Sequence, residues 1–287
     1  EVLLLYLGDV SLFDSVCHAF TTMATGGYST KQASIAEFSP YVQYVITLFM
    51  FLAGTNFALS YYGLHFRFNR VFKNEEFRYY LFLLSIFTVI IAFFLWFGDK
   101  LPFETSFRHA VFQVVSITTT TGYVTADYLQ WMPFLTVIIF ILMFLGGSAG
   151  STGGGIKIVR IALLIKNSRL ELKRLIHPNA IIPVRLNKKA VDPQIMTNVL
   201  AFVVYYLTIT VISTIVVSAM GYDLDSSLGA VAASLGNIGP GIGAVGPVEN
   251  YAHFPGIGKW FLSFLMLLGR LELFTVLILF SPAFWKK

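Results

Sequence analysis

Residues 108–127, which read RHAVFQVVSITTTTGYVTAD, join an apolar helical stretch to a run of threonines that ends in Gly122. The first part is about three helical turns of mostly small and apolar residues, and it predicts a short buried helix. The whole stretch is too short and too polar to span a bilayer as a helix. Polar backbone of this kind exists at membrane depth only where protein or a water-filled path surrounds it. The stretch therefore predicts a re-entrant loop in a membrane protein.

The composition of the chain predicts a polytopic helical membrane protein. Of the 287 residues, 56% are hydrophobic and only 12% are charged, and the mean hydropathy is +0.73. Soluble domains carry about 25% charged residues, so a soluble single-domain enzyme is excluded. The net charge of +5 is spread between apolar runs, which excludes a nucleic-acid binder. The lone cysteine, Cys17, excludes a disulfide framework and a cysteine-built metal site.

Long apolar stretches alternate with short polar segments along the chain. Residues 1–8 are interpreted as the end of a spanning helix that starts outside this sequence. Four stretches are expected to cross the membrane, and a fifth is interrupted by charged residues: 41–66, 78–97, 133–165, 195–220 and 256–285. Three segments too short to span lie between them: 13–30, 103–127 and 225–245. The order of span, re-entrant loop and span is therefore an internal repeat.

The basic residues predict the orientation of these repeats. Residues 67–78, residues 157–189 and the C-terminal lysines together hold 15 of the 20 Lys and Arg. By the positive-inside rule this side faces the cytoplasm, and the re-entrant loops enter from outside. If the basic loops were merely solvated faces, basic and non-basic connections would not be expected to alternate along the chain. We therefore expect a multi-pass protein of the cytoplasmic (inner) membrane.

The three re-entrant segments share a pattern centred on a glycine. Residues 13–30 read FDSVCHAFTTMATGGYST, and residues 226–245 read SSLGAVAASLGNIGPGIGAV. Aligned on Gly27, Gly122 and Gly239, each has a hydrogen-bonding side chain two positions earlier. The predicted filter residues are Thr25, Gly26, Gly27, Tyr28, Thr120, Thr121, Gly122, Tyr123, Asn237, Ile238, Gly239 and Pro240.

Such segments suit a monovalent cation. A short helix that points into the membrane presents its C-terminal carbonyls, which carry about half a negative charge. The extended residues that follow can replace the hydration shell of the ion with backbone carbonyls. Glycine allows the φ values that this requires, and the Thr or Asn is expected to add a side-chain oxygen. The absence of carboxylates from the aligned residues argues against a ring selective for divalent ions, and Pro240 predicts an asymmetric ring.

The three segments resemble a degenerate form of the TVGYG filter of potassium channels. Their order, with GGSAGSTGGG at 146–155 and GRLELFT at 269–275, resembles the TrkH/KtrB/HKT superfamily of potassium transporters. The stretches FDSVCHAF and AFWKK favour the TrkH branch. The resemblance covers essentially all 287 residues. It implies an all-α membrane protein of four helix–pore loop–helix units around one ion pore, of which the sequence holds the last three.

The resemblance also implies a function and partners. It implies potassium uptake through a gated, channel-like pore, with K+ as the transported ion, no organic cofactor and no enzymatic activity. It implies a homodimer and a cytoplasmic nucleotide-binding regulatory subunit, TrkA-like or KtrA-like. The connection at 167–193 is expected to bind that subunit or anionic lipid headgroups. The expected units are 1–66 (second repeat), 67–76 (cytoplasmic loop), 77–166 (third repeat), 167–193 (basic connection) and 194–287 (fourth repeat).

The glycine-rich interruption at 146–155 does not fit a phosphate-binding loop, because Ile158 follows Lys157 and the flanks are helical. It is either a patch of small residues for helix packing or a break placed across the pore beneath the filter. The resemblance implies that it is the intramembrane gate. The predicted gate residues are Gly146, Gly147, Ser148, Gly150, Gly153, Gly154, Gly155 and Arg270.

Arg270 needs a partner or water, because a charge inside a spanning helix costs several kcal/mol. Glu272 is only two residues away and lies on a different helical face. Arg270 either forms a salt bridge to another helix or lies in the pore below the filter, near the 146–155 loop, as an electrostatic barrier. The resemblance favours the second interpretation.

A secondary transporter of a small organic solute, built from broken helices, is the alternative function. That class has inverted repeats, whereas the repeats in this sequence all enter the membrane from the same side. No HExxH motif, nucleophile elbow or pair of intramembrane carboxylates indicates an enzyme.

Overall fold

The structure is a computed structural model that describes residues 1–177, 180 and 182–285. Parts of two predicted basic regions, residues 178, 179, 181, 286 and 287, lie outside the described residues. The regular secondary structure of the described residues is helical apart from two pairs of two-residue strands. The predicted all-α architecture of repeated helix–loop–helix units is confirmed.

The first unit contains four helices: α1 (Val2–Tyr6), α2 (Leu12–Met23), α3 (Pro40–Ala53) and α4 (Phe57–Leu64). Helix α2 begins at Ser11, whose hydroxyl accepts a hydrogen bond from the Asp14 N–H, as an N-cap does. The expectation of one continuous span at 41–66 is wrong. The chain bends by 115° between α3 and α4.

The second unit is built around one long spanning helix. Its helices are α5 (Phe68–Lys73), α6 (Glu75–Phe97), α7 (Phe103–Thr118), α8 (Pro133–Leu142) and α9 (Ile158–Ile176), with a 3-10 turn at Tyr128–Gln130. Between α8 and α9 the strands β1 (Leu145–Gly146) and β2 (Ile156–Lys157) pair in parallel. This pairing closes the glycine-rich segment into a loop, so the interruption predicted within 133–165 is present.

The third unit begins with a short antiparallel pair, β3 (Arg185–Leu186) and β4 (Lys189–Ala190). Its helices are α10 (Pro193–Ser218), α11 (Leu224–Gly236), α12 (Gly256–Arg270), α13 (Leu273–Leu277) and α14 (Pro282–Trp285), with 3-10 turns at Gly243–Val245, Tyr251–His253 and Ile278–Phe280. The stretch at 256–285 is not one straight helix, because the chain bends by 118° after Arg270. At the bend, Glu272 has a φ of 66°.

The outer surface of the long helices is apolar. In the described residues, α6 and α10 are each long and apolar enough to cross a membrane, and each of the two bent pairs is so only when its two helices are counted together. Side chains such as Val89 on α6 and Val211 on α10 are more than half exposed. An apolar exposed face on a 23- or 26-residue helix suits lipid tails rather than water. The short helices α2, α7 and α11, which we call the pore helices, pack inside this frame.

Candidate ion filter and gate

The three pore helices end in the same backbone turn. A residue just after the helix has a left-handed φ, which is 49° at Thr25 and 58° at Thr120, two residues past their helices, and 57° at Asn237, directly after its helix. The next N–H donates to the carbonyl five residues earlier in each case: Gly26 to Thr21 (2.7 Å), Thr121 to Ser116 (2.9 Å) and Ile238 to Ala233 (2.9 Å). This bond is the one that defines a Schellman helix end. The repeat predicted from the sequence is therefore present in the structure, where the same hydrogen bond recurs at the end of each pore helix.

Two of these turns are strained. Asn is tolerated in the left-handed region, but Thr25 and Thr120 are β-branched, and such a φ is an outlier for them. Strain of this kind costs about 1–3 kcal/mol and tends to persist at functional sites. Both turns are therefore candidate functional positions.

The filter glycines lie side by side, with φ values of 67° at Gly27, 83° at Gly122 and 106° at Gly239. A Cβ on Gly27 would overlap the carbonyl oxygen of Thr121, and a Cβ on Gly122 would overlap that of Ile238. Each of these two glycines therefore packs against the residue that precedes the next filter glycine. Beside Gly239, no described atom outside its chain neighbours lies within 4 Å of the Cβ position. The three segments form an arc that is open next to Gly239.

The arc is lined with backbone carbonyls that lack protein partners. Buried carbonyls are nearly always hydrogen-bonded, and the residues of the central segment, 120–123, are all buried. A row of free acceptors is what a dehydrated cation needs. Within the described residues, eight carbonyls of the arc accept no hydrogen bond: those of Thr25, Gly26, Gly27, Thr120, Thr121, Gly122, Asn237 and Ile238.

The carbonyl that follows the glycine is held by protein in the first two segments. A hydroxyl six residues before the glycine donates to it: Thr21 to Tyr28 (3.0 Å) and Ser116 to Tyr123 (2.7 Å). The third segment has Ala233 at this position, and Tyr251 instead donates to the carbonyl of Gly239 itself at 2.8 Å. The third segment thus departs from the other two, in keeping with the predicted asymmetry.

The side chains two positions before the glycines face the layer below the arc. The Thr120 hydroxyl accepts a hydrogen bond from the Gly154 N–H at 2.7 Å. Asn237 donates its side-chain amide to the Met266 carbonyl at 3.0 Å. This differs from the expectation that these side chains add oxygens to an ion site. They connect the filter segments to the elements beneath.

The glycine-rich loop lies directly under the pore helices. It contacts the last turn of each helix: Thr152 donates to Met23 (3.2 Å), Gly153 packs on Thr119 and Gly154 packs on Gly236. A Cβ on Gly153 or Gly154 would press on those helix-end carbonyls, so the absence of side chains allows the close approach. The loop therefore lies against the C-terminal ends of all three pore helices.

Two polar side chains that the sequence analysis did not single out anchor this loop. Asn56, at the bend between α3 and α4, donates to the Ala149 carbonyl at 2.6 Å. Glu76, in the first turn of α6, accepts from the Ala149 N–H at 2.6 Å and is 7% exposed. The sequence AGTN within an apolar stretch is a signal for a helix break that could have pointed to Asn56. Glu76 carried no such signal, because an acidic residue in a first helical turn is ordinary.

The remaining predicted gate residues lie at the start and the closure of the loop. The Ser148 N–H donates to the Gly54 carbonyl at 2.9 Å, and the Phe57 N–H donates to the Gly150 carbonyl at 3.3 Å. Gly146 pairs with Lys157 in the β1–β2 ladder. Lys157, a further residue missed from sequence, donates its ammonium to the Gly153 carbonyl and closes the loop. Gly147 and Gly155 complete this closed turn.

Arg270 lies at the base of the first filter segment. It donates to the Ala24 carbonyl at 3.1 Å and to the Thr25 hydroxyl at 3.4 Å. Its partners are therefore the end of a pore helix, and not the carbonyls of the glycine-rich loop. Glu272 pairs with Arg160 at 2.6 Å, so among the described residues the salt-bridge alternative for Arg270 does not hold. Arg270 and residues 150–155 line one cavity of about 210 Å³.

The outer side of the arc is acidic. Asp14, Glu104 and Asp225 each lie in the first turn of a pore helix. Hydrogen bonds from Ser226 hold the pKa of the neighbouring Asp223 below its ordinary value. Asp14 lies 3.9 Å from the Lys31 ammonium and Glu104 pairs with Arg108 at 2.8 Å, so basic residues partly balance the charge of these two carboxylates.

Comparison with known proteins decides the family. A family model described as "TrkH: Cation transport protein" matches residues 6–287. The chain belongs to the TrkH family. This confirms the family recognised from the motifs, and a location in the cytoplasmic membrane agrees with it.

Members of the TrkH family align along nearly all of this chain. The Trk system potassium uptake protein TrkH of Salmonella typhimurium is 39% identical over 288 residues, covering 99% of this chain and 59% of that protein. The protein TrkG of Escherichia coli K12 is 34% identical, covering 98% and 58%. The crystal structure of the potassium transporter TrkH from Vibrio parahaemolyticus matches with a TM-score of 0.92 at 35% identity, covering 99% of this chain and 62% of that chain. The chain spans about three fifths of the length of these relatives.

Proposed function

We propose that the protein takes up potassium across the cytoplasmic membrane through a filter of backbone carbonyls. The observation that carries this proposal is the row of eight partnerless carbonyls along segments 25–28, 120–123 and 237–240. Carbonyl oxygens of this kind replace the hydration shell of a monovalent cation. Potassium is the favoured ion because relatives that align along the chain carry potassium uptake in their names.

The filter is completed by a fourth segment from outside this sequence, next to Gly239. The open side of the arc supports this step, since no described atom beyond the chain neighbours lies near the Gly239 Cβ position. The first two glycines each pack against the following segment, and the same packing at Gly239 would seat a fourth one. The three pore helices also direct their C-terminal ends, with about half a negative charge each, to the inner edge of the arc.

The 146–155 loop and Arg270 form the gate of this path. Contacts between the loop and the ends of all three pore helices support this role. The Arg270 guanidinium, bonded to the Ala24 carbonyl, places a positive charge at the inner edge of the filter. A fixed positive charge there opposes the passage of a cation. The loop and the arginine are therefore two separate obstacles, and moving or removing either one raises the flux.

Cation flux through the full-length protein in proteoliposomes tests the filter. Potassium and rubidium are expected to move well above sodium. Equal flux of all three ions would remove the potassium selectivity from the proposal. An intact protein that moves no cation would overturn the proposal and favour the transporter of organic solutes.

Substitution of Arg270 and shortening of the loop test the gate. Arg270→Ala and deletion of Gly153–Gly155 are each expected to raise flux, because each removes an obstacle at the inner edge of the filter. Arg270→Lys keeps the charge with a single donor group and is expected to raise flux less. Arg67→Ala, which removes an exposed basic residue between α4 and α5, is the control. Flux no higher than that of the unmodified protein in both gate variants would exclude the gating role.

The protein acts as a homodimer that a cytoplasmic nucleotide-binding subunit regulates. Helix α9 supports this step, because it starts at the closure of the gate loop and continues into the basic connection. Lys166 on α9 pairs with Glu75 at the start of α6 and donates to the Arg185 carbonyl at 2.9 Å. A force on the cytoplasmic end of α9 is therefore passed to the loop. Chemical crosslinking to a dimer, and nucleotide-dependent flux with the subunit added, are the expected results; flux indifferent to the subunit would exclude this regulation.

A further inference from the structure

The third filter segment is distinguished by a hydrogen bond from Tyr251. Among the described residues, the carbonyls of Gly27 and Gly122 accept no hydrogen bond, whereas the Gly239 carbonyl accepts one from the Tyr251 hydroxyl at 2.8 Å. The protein donor thus falls one position earlier than in the other segments. Tyr251 therefore donates to the carbonyl of the filter glycine itself, and not to that of the following residue.

The position of Tyr251 is fixed by its own segment. It begins the 3-10 turn Tyr251–His253, which Asn250 caps by accepting from the Ala252 N–H at 2.9 Å. Lys259 donates to the Ala252 carbonyl at 2.8 Å, and Tyr222 donates to the His253 carbonyl at 3.0 Å. Three hydrogen bonds therefore hold the backbone that presents the hydroxyl.

The pore helix of the third unit has no hydroxyl at the position from which the first two segments are held. Thr21 and Ser116, the hydroxyls that hold the first two segments, correspond to Ala233 in the third. The Gly239–Pro240 peptide also has no N–H through which its plane could be anchored on the side opposite the carbonyl. The orientation of the Gly239 carbonyl therefore depends on Tyr251, a residue of the outer connection.

We propose that Tyr251 is a positioning residue that turns the Gly239 carbonyl away from the ion path and thereby lowers the affinity of the filter for potassium. The inference rests on the proposed filter function. One oxygen fewer at this level weakens ion binding, and a conducting filter must bind weakly enough for the ion to leave. Tyr251, which lies outside the filter sequence, thus lowers the affinity for potassium and raises the rate of transport.

Tyr251→Phe tests this inference, because it keeps the ring and removes only the hydroxyl. Loss of one neutral hydrogen bond shifts an equilibrium by about two- to tenfold. The KM for potassium is expected to fall by about that factor, with Vmax unchanged or lower and with greater discrimination against sodium. In the purified full-length protein, potassium is also expected to raise the melting temperature more in the variant, because a ligand that binds more tightly stabilises the folded state more.

Tyr128→Phe is the matched control. The Tyr128 hydroxyl donates to the Gly241 carbonyl of the same segment at 2.6 Å, two residues beyond the filter glycine. Its loss is expected to leave the KM for potassium unchanged. An equal shift in both variants would show that general stiffness of the segment matters, and would overturn the specific role of Tyr251.

Two further outcomes would overturn the inference. Unchanged KM and unchanged ion discrimination in Tyr251→Phe would show that the Gly239 carbonyl does not turn. A higher KM with weaker discrimination would show that Tyr251 braces a carbonyl that binds the ion. Both outcomes count only if the unmodified protein transports potassium selectively in the same assay. Absence of potassium flux in the unmodified protein would instead refute the proposed function.

Discussion

Gly122 is the most tightly constrained residue of the filter. Its φ of 83° is unfavourable for any side chain, and its Cβ position overlaps the Ile238 carbonyl. It lies in the central segment, with the first segment on one side and the third on the other. Backbone strain and direct overlap therefore act together at this position. A side chain there must displace a carbonyl that belongs to the neighbouring segment.

Gly122→Ser is therefore expected to reduce discrimination between potassium and sodium. The measurement is the ratio of potassium to sodium flux in proteoliposomes. Gly221→Ser is the matched control, because Gly221 has a φ of 96° but open space at its Cβ position and lies in the outer connection. An unchanged flux ratio in Gly122→Ser would remove Gly122 from the filter. A similar loss in Gly221→Ser would point to backbone strain alone.

At the level of elements, the helix after each pore loop is broken. Helices α3, α8 and α12 contain 14, 10 and 15 residues. At 1.5 Å per residue they are about 15–22 Å long, which is shorter than the roughly 30 Å hydrocarbon core. Each break lies beneath the filter segments, where the chain turns sideways. The sequence predicted a break only at the glycine run, because a helix can also end at residues such as Leu271 and Glu272 that carry no breaker signal.

The break after α3 is stabilised by Asn56 in two ways. Its side-chain oxygen caps α4 by accepting from the Ala58 N–H at 2.8 Å, and its amide group donates to the gate loop at Ala149. Asn56→Ala removes both contacts and is expected to lower the free energy of unfolding by about 1 kcal/mol for the lost cap. It is also expected to raise cation flux, because the loop loses an anchor. Thermal unfolding in detergent and flux in proteoliposomes are the two measurements.

Asn56→Asp separates the two contacts. Aspartate keeps the cap but cannot donate to the Ala149 carbonyl, so stability is expected to be retained while flux still rises. Flux equal to that of the unmodified protein in both variants would show that this anchor does not hold the gate. Equal loss of stability in both would show that the cap makes no separate contribution.

At the level of the whole molecule, basic and acidic residues are concentrated on opposite sides of the membrane. The connection between α4 and α6 is basic, whereas the pore helices start with acidic residues on the opposite side. Packing joins the units across the filter: Ile238 of the third unit belongs to the hydrophobic cluster of the first two. The third segment is therefore held both by its own helices and by its neighbours, which keeps the arc together.

The orientation is tested by labelling cysteines in intact cells. In a background in which Cys17 and any other native cysteine are replaced by Ser, Lys31→Cys and Lys73→Cys each place one thiol at an exposed position. A membrane-impermeant maleimide is expected to label position 31 and to reach position 73 only after the cells are opened. The reverse pattern would invert the topology and contradict the positive-inside assignment.

The sequence by itself determined the family, the three pore helices and the left-handed turn and glycine that follow each of them. These features are local: a helix end, a left-handed residue and a glycine lie within a few residues of one another, and the same order recurs three times. Only the tertiary structure decided which carbonyls stay free and which side chains hold the glycine-rich loop. Arg270 meets Ala24, Asn56 meets Ala149 and Tyr251 meets Gly239. A side-chain hydrogen bond forms only within about 3 Å, and local periodicity carries no information about which distant backbone atom comes that close.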